Sequence, residues 1–225
     1  MASKSQRSDA APWDPSSPHT PSLFDESYRT MRKKFLLHRL IVITALPEGL
    51  ADREELGAHY EELNLLLQRQ HQVEGITGLL LMYPSCLLHV IESSSEVLVS
   101  LLQNLKDMQD DCHFGGKAAK VVLMSHDLPT RLFQQWSYKM LAVQARALGE
   151  ESEGETTDAL VGTVLSMILK LGNHPEIARK VLDEAPEMVV PQEVLVRLLA
   201  RPELLSPQRY LQTYHSPLNI HMDSG

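Results

Sequence analysis

The chain has 225 residues, 43% of them hydrophobic, and its 21 basic and 29 acidic residues leave a formal charge of −8. That is enough apolar material for one generous domain with an appendage, while the negative balance gives no electrostatic reason to approach nucleic acid or an anionic membrane. No apolar run approaches the roughly 20 residues that span a bilayer, the start of the chain is polar, and Cys86 and Cys112 are too few for a disulfide scaffold, so a cytoplasmic protein with reduced thiols is expected.

Residues 1–34 read as a flexible arm, rich in Ser, Pro and isolated charges, with Pro12, Pro15, Pro18 and Pro21 preventing helix formation. Trp13, Leu23 and Phe24 stand out there as candidate anchors for a protein partner. From Arg39 the run RLIVIT, rich in β-branched side chains, predicts a strand buried on at least one face. Leu56, Tyr60, Leu63 and Leu67 recur at helical spacing between Glu54 and His71, with Asp52, Glu54 and Glu55 where a helix N-terminus favours negative charge. Thr77 to Tyr83 and Cys86 to Glu92 predict a hairpin turning at Tyr83-Pro84-Ser85. Ser93 and Glu96 have the spacing of a capping box, opening a helix whose buried stripe is Val97, Leu101, Leu105 and Met108.

Gly115 and Gly116 make a turn before KVVLMS, a fourth strand from Lys120 to Ser125 expected to be buried on both faces. Gly115-Gly116-Lys117 lacks the GxxxxGK[ST] spacing and the strand-to-helix order of a phosphate loop. Residues 148–157, which hold all but the last residue of GEESEGETTD, form an acidic linker that cannot pack. Ala159 to Leu171, Pro175 to Leu182 and Val194 to Leu199 then predict short amphipathic helices within an appendage spanning 158–213. These helices are too few for a core of their own and are expected on the open sheet face. From Ser206 onward Pro207 and Pro217 suggest a frayed end, with residues 214–225 as a tail.

The order strand, helix, strand, strand, helix, strand is the split βαβ plan of ferredoxin-like α+β folds: a four-stranded antiparallel sheet with two helices on one face. Residues 35–147 carry it. Two blocks, Gly75 to Glu92 (GITGLLLMYPSCLLHVIE) and Arg131 to Trp136 (RLFQQW), resemble the BLUF domain, a blue-light sensor built around a flavin. Ile76, Thr77, Gly78, Glu92, Arg131, Phe133 and Trp136 fit that family and are expected to serve folding, Gly78 by letting a helix approach its strand.

The resemblance also marks where the flavin contacts would be. It places Val42 at the family's tyrosine on the first strand, His89 at the glutamine of the third, and His71 at the asparagine ending the first helix. Cys112 stands where an arginine is common, and Trp136-Ser137-Tyr138 where Trp-x-Met is common on the last strand. Valine has no phenol, and imidazole cannot rotate or tautomerise as an amide does. The resemblance therefore implies a vestigial cleft around Val42, His71 and His89, with no cofactor. His71 and His89 are expected to face one pocket, but two imidazoles do not make a metal centre. No catalytic residue and no metal are expected.

The expected function is that of a non-enzymatic structural or adaptor protein with protein partners, a homo-oligomer being left open. A further resemblance of layout, to a sperm-associated BLUF-like protein, implies a testis setting and a flagellar or axonemal assembly. The alternative is a flavin- or nucleotide-binding regulatory sensor that uses the vacated cleft.

Overall fold

The computed structural model describes residues 36–47, 53–73, 75–110, 118–141, 155–173 and 189–215. The fold is α+β. Five strands, β1 (Leu37–Ala45), β2 (Thr77–Met82), β3 (Cys86–Ser93), β4 (Ala119–Leu128) and β5 (Trp136–Met140), lie in the order β4-β1-β3-β2-β5. Helices α1 (Arg53–His71) and α2 (Ser95–Asp110) follow β1 and β3, which completes the ferredoxin-like plan. The one addition is β5, which pairs parallel to β2 and makes the sheet mixed and five-stranded instead of four-stranded and antiparallel.

Strand alternation sorts the core into two layers. Leu40, Val42, Leu80, Met82, Leu87 and Ile91 point to the α1/α2 face. Ile41, Ile43, Leu79, Leu81, Leu88 and Val90 point to the other, where α3 (Thr157–Gly172) and α4 (Gln192–Leu199) cover them with Leu160, Val164, Ile168, Val194, Leu195 and Leu198. These helices thus close the open face as their amphipathic patterns predict. The central strands β2 and β3 are buried along their whole length, whereas β4 is buried at its start and exposed toward its end, against the expectation of burial on both faces.

Polar ties fix the registers. Tyr83 donates to the Val190 carbonyl at 2.6 Å, and the Ser85 amide reaches Gln192 Oε1 at 3.3 Å, fastening the hairpin turn to the start of α4. Gly78 sits at φ +148°, where a Cβ would lie 2.0 Å from the Val90 carbonyl oxygen. Its absent side chain therefore admits the β3 backbone, not a helix. The α2 cap also shifts by one residue: Leu98 N–H donates to Ser94 O at 3.2 Å, while Ser93 belongs to β3.

The C-terminal segment does not fray at Ser206. Ser206 caps a further helix, α5 (Pro207–Tyr214), by accepting from the Arg209 amide, and Pro207 occupies the first turn, where its missing N–H costs nothing. Tyr210 buries into the α1/α2 layer. On the way there the chain crosses the outer edge of β4, where Val121 N–H donates to Leu205 O at 2.8 Å and Lys120 Nζ to Leu204 O at 2.9 Å. The arm 1–34, most of the linker, Gly115-Gly116-Lys117, Cys112 and the helix expected at Pro175 to Leu182 lie outside the described residues.

Candidate functional site

Val42 and His89 are direct cross-strand partners of β1 and β3, and alternation directs both toward α1 and α2. Val42 is a core residue, 1% exposed. His89 is 2% exposed, and its ring meets aromatic neighbours on two sides. Tyr60 of α1 stands edge-on with centroids 5.0 Å apart, and the Trp136 indole Nε1–H donates to His89 Nε2 at 3.0 Å. Tyr138, 5.9 Å from Trp136, closes the ring of contacts by packing on α1 at Gly57, where a Cβ would come within 2.5 Å of its ring.

Because Nε2 accepts, neutral His89 carries its proton on Nδ1, and that atom has no hydrogen-bond partner among the described residues. Burial pushes its pKa down to about 3, so the ring is neutral at physiological pH. Desolvation likewise pushes the Tyr60 phenol up. Asn64, one turn beyond Tyr60 on α1, is 4% exposed, and neither its Oδ1 nor its Nδ2 has a partner among the described residues. Asn104 Oδ1 on α2 and Ser93 Oγ on β3 are further buried acceptors without partners among the described residues.

His71 does not join His89. It ends α1, and its Nε2 lies 2.9 Å from Ser100 Oγ on α2, a bond that bridges the two helices. The expected cleft is thus divided: Val42 and His89 meet on the sheet, while His71 ties the helices together. Among the described residues no group of three or more His, Cys, Asp and Glu is placed to hold a metal. Trp13, Leu23 and Phe24 lie outside the described residues.

Glu92, at the end of β3, is 0% exposed and fully engaged. Arg39 grips Oε1 through Nε at 2.8 Å and Nη2 at 2.6 Å, Thr77 Oγ1 donates to Oε2 at 2.9 Å, and the Leu132 and Phe133 amides donate at 2.9 to 3.1 Å. Arg131 completes the knot by donating to Thr77 Oγ1 and to the Glu92 and Gly75 carbonyls, each at 3.0 Å. Four of the residues that carry the sequence resemblance, Thr77, Glu92, Arg131 and Phe133, therefore hold the segment between β4 and β5 against the sheet.

The three positions that the resemblance marks are each engaged within the protein or lack a polar atom. Val42 offers no polar atom, His89 Nε2 is taken by Trp136, and His71 Nε2 is engaged with Ser100. Periodicity assigned Tyr60 to the helix core without revealing its contact with His89, and it did not single out the buried amide of Asn64. A polar residue at i+4 from Tyr60 on an otherwise apolar helix face was the available signal.

A family model described as testis-expressed protein 47 matches residues 36–216. The chain belongs to the testis-expressed protein 47 family. Solved structures similar to it are of BLUF proteins. The BlrP1 BLUF structure is 23% identical, with a TM-score of 0.37, over 48% of this chain and 66% of that one. A Klebsiella pneumoniae BlrP1 manganese and cyclic-diGMP complex is 23% identical at a TM-score of 0.35, over 47% of this chain and 24% of that one. BlsA in its photo-activated state is 17% identical at a TM-score of 0.37, over 73% of this chain and 96% of that one. The chain thus spans less than two thirds of each of the two BlrP1 chains. Its own ferredoxin-like strand order carries the fold assignment. Among the described residues no helix is long and apolar enough to cross a membrane.

Proposed function

We propose that this testis-expressed family member is a non-enzymatic structural or adaptor component of a larger assembly, in sperm the flagellar axoneme, and that it engages protein partners in the cytoplasm. The observation that carries this reading is the use of the three cleft positions for internal contacts: Val42 in the core, His89 to Trp136 and His71 to Ser100. Side chains committed to packing and to bridging helices leave the chemistry to the surface. Trp13, Leu23 and Phe24 are the proposed anchors, since isolated apolar residues in a polar segment gain most by folding onto a partner. Affinity purification of the full chain from testis tests this reading. An axonemal protein retained by the full chain and lost when residues 1–28 are removed supports it, and equal recovery of the same proteins with and without those residues removes the anchors.

A second reading is favoured by the unpartnered polar atoms of Asn64, His89 and Asn104, which could be satisfied by a small polar ligand entering between α1 and α2. The protein would then be a regulatory sensor for a flavin or nucleotide. Thermal-shift screening against both classes separates the readings: a ligand at a hundredfold its Kd adds about 2.7 kcal/mol of stability, and a flat response favours the adaptor.

A further inference from the structure

Away from the cleft, β1 and β4 are joined by an irregularity. Leu37 pairs with Leu128 and Arg39 with Ser125, so His38 alone faces both His126 and Asp127. Asp127 takes φ +53°, a left-handed conformation that aspartate tolerates better than most residues. The bulge aims two imidazoles at each other: His38 Nδ1 and His126 Nδ1 are 3.0 Å apart, with ring centroids 5.0 Å apart and planes at 74°. His38 is 8% exposed, on the side of the sheet that carries α1 and α2, whereas His126 is open to solvent.

We propose that His38 and His126 form a proton-counting latch across the β1–β4 bulge, closed with no or one added proton and opened by the second. In the neutral pair one ring donates its Nδ1–H to the Nδ1 lone pair of the other, and that second ring carries its own proton on Nε2. The first added proton goes to the free Nε2 of the donor ring. This leaves the bond in place and makes it charge-assisted. The next proton has only the bonded Nδ1 lone pair to take. Binding there replaces the bond by two N–H groups and two positive charges facing each other across 3.0 Å.

Among the described residues, the charged groups acting on His38 are His126 and Asp127 of β4 and Glu96 of α2, and its partner on β3 is the uncharged Ser93. Burial and the His126 charge hold His38 below the ordinary histidine range, while the two carboxylates oppose them. The sign follows: a histidine that takes its proton less readily folded than unfolded adds stability above pH 6.5, and that stability is lost as pH falls toward its folded value. The latch is therefore shut at neutral pH and opened by acid. Because Glu96 is also influenced by His71, the α1–α2 bridge shares the electrostatic surroundings of the latch.

Nitrogen NMR of the histidine rings in the full chain, with amide hydrogen exchange from pH 7.5 to 5, tests the proposal. Expected are a His38 ring that takes its proton below the ordinary histidine range, and amide protection around residues 38 and 126 that falls about tenfold relative to the β2–β3 amides as that proton binds, the change one pKa unit represents. His126→Gln, at an exposed position, keeps a hydrogen-bonding group and cannot be charged. It is expected to raise the His38 pKa and abolish the acid-dependent local exchange. A His38 ring that titrates as an ordinary histidine, or an acid-dependent opening unchanged in His126→Gln, overturns the latch.

Discussion

The two faces of the sheet treat buried polarity in opposite ways. Under α3 and α4 the layer is mostly aliphatic, its buried phenol Tyr83 is hydrogen-bonded to the Val190 carbonyl, and the charge held at its end, Glu92, has both oxygens engaged by Arg39, Thr77 and two backbone amides. Under α1 and α2 the layer mixes aromatic rings with polar atoms that lack partners among the described residues, at Asn64, His89, Asn104 and Ser93. An unsatisfied buried polar group costs about 1–3 kcal/mol, so the first face is built for stability and the second gives some of it up. Sites of function tend to lie where local rules are broken in this way.

The contrast can be tested by perturbing each side. The largest effect is expected from Glu92→Gln, which removes the buried charge facing partly buried Arg39. Breaking a buried pair costs about 3–5 kcal/mol, read as a lower urea midpoint with unchanged slope. Next is the acid response. His89 is depressed by burial to about 3, so stability present above pH 6.5 is lost as pH falls toward 3, at about 1.4 kcal/mol for each unit of depression. His89→Gln can still accept from Trp136 and is expected to flatten that limb in denaturation series run between pH 7 and 4. An unaltered pH profile would place the acid sensitivity elsewhere.

Asn64→Leu is expected to raise stability by about 1–3 kcal/mol, because it removes two unpartnered atoms from the core. A loss of similar size would mean that water or a ligand satisfies the amide, which makes the sign of this substitution the sharpest test of the comparison. Tyr83→Phe, on the orderly face, loses the bond to the Val190 carbonyl and is expected to cost about 0.5–1.5 kcal/mol in the same assay.

Much of the scaffold was legible in the sequence because its signals are local. Helical spacing at Leu56, Tyr60, Leu63 and Leu67 and the hairpin turn at Tyr83-Pro84-Ser85 needed no tertiary information. β5 was not counted in the topology because its partner β2 is remote, Gly78 pairing with Trp136, and because five half-exposed residues carry little periodicity. α5 was missed because Pro207 was read as a breaker, whereas at a first turn the same residue starts a helix. The site was legible only as a set of positions. Whether His71 and His89 meet depends on how α1 is rotated over the sheet, and sequence spacing does not determine that rotation. The His38–His126 pair was invisible for a related reason, since only the bulge brings those rings together.

The crossing of β4 by Leu204 and Leu205 bears on how damaged copies of this protein would behave. The Leu205 carbonyl occupies the Val121 N–H, which would otherwise face outward along a strand rim, and the Leu204 carbonyl holds the Lys120 ammonium beside it. A chain terminated shortly before them would keep nearly all of its core yet bare that rim to any passing extended segment. Late truncation should therefore reveal itself as self-association and loss from the soluble fraction more than as global unfolding.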